Sequence, residues 1–225
     1  MTDPNRQLRH ALDTLDAAFA PLSDRSLTVE GCTHCYAEAD LEALAGPVHR
    51  IPEDLIASAA ARTPGHWSDF PALYRRMTPR IIRLLVRDRL HVDHGLIASR
   101  LLAADWRGWT APEREALEEV WRTWWHSALQ AYPAPVTDVL EILSVSTGSL
   151  EPWLAVWAQT RTDSADRHLH DAIDGWLFED QLADLRLGFY DELHATPELP
   201  PWLLALGDSR IGDARLSEVK RIASG

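Results

Sequence analysis

Lysine is all but missing from this chain of 225 residues: of 22 basic residues, only Lys220 is one. Where arginine fills nearly every basic position, its presence at one position is no sign that a bidentate fork was wanted there. Together with abundant Ala, Leu and Pro, the bias reads as the coding habit of a GC-rich genome. Positive charge is also in deficit, 22 basic against 34 acidic residues, a net charge of −12. That argues against general nucleic-acid binding, which needs a cationic footprint. No apolar run is long enough to cross a bilayer, so no membrane span is expected. The opening "MTDPNRQLRHALDTLD" has no basic stretch leading into an apolar one. No secretory leader is expected, and the cytoplasm is the expected compartment. Cysteine is scarce as well, with two in the chain. In a reducing compartment that excludes a disulfide framework.

Strand signals are nearly absent too, and what is there is helix. Asp3 can cap a first helix and Pro4 fits its first turn; Leu8, Leu12, Leu15, Phe19 and Leu22 follow at helical spacing. "AEADLEALAG" reads as a short helix stopped by Gly46 and Pro47, and another opens at Pro52. "SDFPALYRRMTPRIIRLLVRDRL" reads as a longer helical region with Pro79 as a kink or break. Thr110 and Glu113 form a capping box ahead of the stripe Leu117, Val120, Trp121, Trp124 and Ala128. "QLADLRLGFYDELH" is read as helical, and "PELPPWLLALG" as a short last helix.

Helices this short do not stand alone and must stack on each other. The expected fold is all-α: stacked short helical hairpins, solenoid-like in the HEAT or armadillo manner, or an irregular helical domain. The expected division is an N-terminal helix over 1–25, an all-helical body over 26–206, and a polar C-terminal tail over 207–225, loose or a frayed helix.

Ten tryptophans stand out. Spacings such as Trp121/Trp124 and Trp153/Trp157 put them in the core more readily than in a ligand groove.

The chemistry concentrates in "EGCTHCYAEADLEALAGP", where Cys32 and Cys35 sit three apart. Zinc takes four ligands, commonly thiolate and imidazole, and this pair supplies two. The histidines that could add to it are His49, His66 and the "HVDH" pair, His91 and His94; the expected set is Cys32, Cys35, His91 and His94 with zinc. A redox pair at a helix entrance is the alternative, since a helix N-terminus favours the thiolate. The all-helical AhpD-like peroxidases resemble the chain in fold class and carry Glu ahead of Cys-x-x-Cys and His four residues after it. Glu30 matches the first, but Ala39 stands in place of the His. The third reading is two small buried hydrophobes.

"GCTHCYAEADLEALAGPVHRIPEDLIASAA", with "HWSDFPALYRRMTPRIIRLL", resembles a group of uncharacterised bacterial proteins common in actinobacteria. The likeness lies in the N-terminal Cys-x-x-Cys, the "DLE-x-L" helix and the "W-x-D-F" helix start. It implies a helical fold and carries no activity with it.

Arg76, Arg80, Arg83 and Arg87 fall on one helix face if Pro79 does not break it, a candidate surface for an anion or an acidic partner. A solvated face paired with the chain's own acidic helices is the plainer reading. Asp166, His170 and Asp174, at i, i+4 and i+8, make a weaker metal candidate. No Gly-rich phosphate loop, G-x-S-x-G or H-E-x-x-H occurs. The functional expectation is a non-enzymatic helical module that binds a protein partner, with a zinc-stapled version or a small redox or metal enzyme as alternatives.

Overall fold

A computed structural model describes residues 3–224, apart from the side chain of Glu179. It is an all-α fold, with twelve α-helices and one two-stranded hairpin among the described residues. The chain divides into two compact units after Thr123, inside α6 (Ala111–Gln130). The sequence reading expects one body over 26–206 and places no boundary here. A boundary within a continuous amphipathic helix leaves no linker composition to read. Among the described residues no helix is long and apolar enough to cross a membrane.

The first unit is built on α1 (Pro4–Ser23) and α4 (Phe70–Val86). Asp3 caps α1, accepting from the Asn5 N–H at 3.0 Å, and Leu8, Leu12, Leu15 and Phe19 form its buried face. Phe19 meets Trp109 edge-on at 5.5 Å. Pro79 sits inside α4 without ending it. It leaves the Arg75 carbonyl without its intrahelical donor, a loss the packing tolerates. Around this pair lie α2 (Glu38–Ala45), α3 (Glu53–Ala61) and α5 (His94–Ala103). Asp93 caps α5 through the Leu96 N–H at 2.7 Å. The capping residue Glu113 accepts from the Thr110 N–H at 2.9 Å and holds Arg75 at 2.6 Å, so one carboxylate serves a helix end and an ion pair.

The second unit contains α7 (Val136–Thr147), α8 (Glu151–Gln159) and α9 (Asp163–Leu177). Its core is aromatic. Trp157 is fully buried and touches Trp125, Trp176 and Trp202, with ring centroids 5.4, 6.3 and 5.8 Å away. Each such pair adds about 0.5–1.5 kcal/mol beyond its buried area. Three of its indole N–H groups bond within the unit: Trp125 donates to the Trp153 carbonyl, Trp157 to that of Ala165 and Trp202 to that of Leu154, at 2.9–3.1 Å. Trp153 and Trp157 are core, as their spacing implies; Trp125 and Trp176 are buried with them, and Trp202 is partly exposed.

Two segments differ from the sequence reading. "QLADLRLGFYDELH" is not a helix: a 3-10 turn over Phe178–Asp184 leads into β1 (Arg186–Leu187) and β2 (Leu193–His194), paired antiparallel. Gly188 (φ +94°) and Asp191 (φ +57°) take the left-handed backbone, and the Asp191 N–H closes the turn on the Gly188 carbonyl at 3.1 Å. The 207–225 tail is ordered over its described residues. α10 (Leu199–Leu206) is followed by α11 (Asp208–Ile211) and α12 (Asp213–Ala223), and Arg210, Ile211 and Val219 are buried. Three buried anchors outweigh a polar composition.

Candidate metal centre

The chain brings Cys32, Cys35 and His66 together, their ligand atoms all within 4.8 Å of one another. The join is one antiparallel bridge, Gly31 to Trp67, within the first unit. The Cys32 N–H donates to the His66 carbonyl at 2.9 Å, and the Ser68 N–H to the Glu30 carbonyl at 3.0 Å. Ser68 Oγ donates to the same oxygen at 3.2 Å. Residues flanking such a bridge alternate in direction. Trp67 therefore goes inward, 7% exposed, while its neighbour His66 stays partly exposed opposite Cys32.

Gly31 is required by this contact. A Cβ there would lie 2.7 Å from the Trp67 ring, closer than carbon atoms approach. After Gly31 the chain turns sharply: the Cys35 and Tyr36 N–H groups both donate to the Cys32 carbonyl, at 3.0 and 3.1 Å. Tyr36 then packs on Trp67, ring centroids 4.8 Å apart. His66 ends a 3-10 turn over Pro64–His66, its N–H bonded to the Thr63 carbonyl at 3.1 Å. The donors thus stand on a buried aromatic floor.

Cys35 Sγ is 3.6 Å from His66 Nδ1. A tetrahedral zinc at ordinary Zn–S and Zn–N distances would hold sulfur and nitrogen about 3.6 Å apart. The Cys32 thiol is pulled down to about 6, first by its hydrogen bond to His66, then by Cys35 and by backbone bonds from His34 and Cys35. Cys35 moves the other way: its hydrogen bond to Cys32, then burial, then the Cys32 charge all push it up. Two sulfurs and one imidazole are a donor set for zinc or another borderline-to-soft cation.

His66 therefore stands where the sequence reading placed His91 and His94. That pair lies outside the converging group: His91 is exposed ahead of α5, and His94 is the first residue of α5. His66 is one of the histidines the sequence offers. Choosing it requires the Gly31–Trp67 bridge, which no local spacing reveals.

The arginine stripe separates by environment. Arg76 is buried, 3% exposed, and its hydrogen bonds go to the carbonyls of Leu22 (3.2 Å), Leu44 (2.7 Å), Ala45 (3.4 Å) and Gly46. It closes the open C-terminal end of α2 and has no place in an anion site. Burial lowers its pKa. Arg80 donates to the carbonyls of Val48 and His49 at 3.1 and 2.6 Å. Arg83 pairs with Asp13 and Asp16 of α1 at 3.0 and 2.5 Å. Burial raises the Asp16 carboxyl against the pull of Arg83. Arg80, Arg83 and the exposed Arg87 line a cavity of ≈ 420 Å³ together with Asp16, Asp24 and Glu53. Four arginines and three carboxylates leave its lining close to neutral.

The Asp166/His170/Asp174 face is consumed inside the second unit. Asp166 pairs with Arg210 at 2.9 Å, His170 Nε2 bonds to the Arg210 carbonyl at 2.8 Å, and Asp174 takes a two-point contact from Arg215 at 2.6 and 2.7 Å. They form a helix-docking seam and not a metal site.

The chain matches no family model, no curated protein and no solved structure.

Proposed function

We propose that this chain is a zinc-stapled helical module, with the ion held by Cys32, Cys35 and His66. The observation that carries the reading is the convergence of two sulfurs and one imidazole on one point. The ion ties the Gly31–Tyr36 turn to the Pro64–His66 turn, two segments that the described backbone joins through one bridge. The work assigned to the module is recognition of a protein partner by its helical surface. A second reading, dithiol exchange at the same pair, is favoured by the lowered Cys32 thiol. It competes for the same sulfurs.

The test is elemental analysis of the full chain purified under reducing conditions. About one zinc per chain is expected, lost in Cys32→Ser, Cys35→Ser and His66→Ala and kept in His91→Ala and His94→Ala. A chain that takes up no zinc on reconstitution, or keeps it in His66→Ala, overturns the proposal. Adding zinc in excess should stabilise the protein by about 4 kcal/mol at a thousandfold of Kd.

A further inference from the structure

We infer that the metal centre takes its fourth ligand from outside the chain, and that this ligand is a thiolate from a small thiol. The inference rests on the zinc reading above and goes past it. A tetrahedral ion wants four donors, and a site built to be purely structural supplies all four from protein. Among the described residues three converge. His34, between the two cysteines, is exposed and outside the group. The Glu30 carbonyl, next along the chain, is already occupied by the Ser68 N–H and hydroxyl.

The three donors are accessible from solvent. Cys32, Cys35 and His66 are each partly exposed, while Tyr36 and Trp67 beneath them are buried.

Charge and softness select the donor. A divalent ion with two thiolates and one neutral imidazole carries no net charge, so the protein must supply what draws an anion in. Arg62 does this. Its guanidinium lies 6.0 Å from the centroid of the ring of Tyr36, the residue after Cys35. Zinc already bound by two sulfurs accepts a third soft donor readily. No bond in the incoming thiol other than S–H is broken, and its proton goes to solvent.

Cobalt(II) replaces zinc to make the site visible. The full chain is loaded with cobalt and titrated with 2-mercaptoethanol, and separately with imidazole, a neutral donor. Passing from two thiolates to three, the near-ultraviolet sulfur-to-cobalt absorption should rise by about half. Cobalt should stay bound, as checked after gel filtration. Arg62→Ala should weaken the thiol several-fold, leaving cobalt stoichiometry and imidazole binding unchanged. His34→Ala should leave the thiol-free spectrum as it is. A spectrum that ignores added thiol, a loss of cobalt on adding it, or a changed thiol-free spectrum in His34→Ala overturns the open fourth position. Failure to take up cobalt or zinc at all overturns the parent metal reading instead, so the two failures are told apart.

Discussion

In the first unit Arg76 reaches the carbonyls of Leu44, Ala45 and Gly46; in the second, Arg210 reaches those of Trp157, Ala158 and Thr160. Both guanidiniums are buried, and both close a helix whose last turn holds no basic residue, α2 in one case and α8 in the other. Arg100 reaches the carbonyl of Ala61, the last residue of α3, in the same manner, at 3.5 Å. The capping cation comes from far along the chain, where a local cap is missing. The units differ in how the buried charge is met. Burial lowers the pKa of both arginines, but Asp166 opposes the shift at Arg210, and carbonyls alone receive Arg76. Oriented carbonyl dipoles can therefore hold a buried guanidinium with or without a carboxylate.

The strongest challenge to that comparison is to remove each cation. Arg76→Met and Arg210→Met should each lower the unfolding free energy by about 3 kcal/mol or more, read from urea denaturation, because several carbonyls lose a charged donor together. Asp166→Asn should cost less than about 1 kcal/mol, since the carboxylate is 39% exposed and water can replace the pair. Equal losses for Asp166→Asn and Arg210→Met would mean that the carboxylate, not the helix end, holds Arg210.

Glycine sharpens the contrast next. Gly31→Ala drives a methyl group into the Trp67 ring and should cost about 2 kcal/mol together with most of the zinc. Gly188→Ala, at φ +94°, should cost about 1–2 kcal/mol and leave the zinc content intact. If both variants keep full zinc, the Gly31 bridge does not set the site.

Alkylation gives a smaller effect confined to the first unit, which holds both cysteines. In metal-free protein Cys32 should react with iodoacetamide about tenfold faster than Cys35 at pH 7, because thiolate excess outweighs its weaker nucleophilicity. Its rate should climb as pH rises through about 6 and then level off, since the thiolate forms on that rise. Equal rates at the two sulfurs, measured by peptide mass spectrometry, would remove the asymmetry.

The smallest effect belongs to the second unit. The hydrogen bond from Arg215 holds the Asp174 carboxyl below its ordinary range. Its stabilisation is fully present above the unfolded carboxyl pKa of about 3.9 and fades as pH falls through the lower folded value. For so exposed a pair it should stay under about 1 kcal/mol. Arg215→Ala should erase that acid dependence in pH-resolved unfolding.

Much of the fold is legible in the sequence because helix signals are local. Asp3, Asp93 and the Thr110/Glu113 pair sit beside the turns they cap, and apolar spacing names the buried faces of α1 and α6. The Arg186–His194 hairpin was readable in part: Gly188 and Asp191 flank its turn, but strands of two residues carry no alternation. Period alone put four arginines on one face and could not say that Arg76 is buried and Arg87 exposed. Of the candidate site, Cys32 and Cys35 declare themselves by spacing. His66 does not, because its partner is 31 residues away and the pairing runs through one glycine and one indole.

That separation gives the Gly31–Trp67 bridge a role in time. While the nascent chain stops short of residue 66, it holds two of the three donors that converge in the fold. The third donor joins them only when the bridge closes, so on the proposed metal reading a cation would act as a latch on the Gly31–Trp67 contact. An ion bound by all three donors would then report that two segments 31 residues apart have come together.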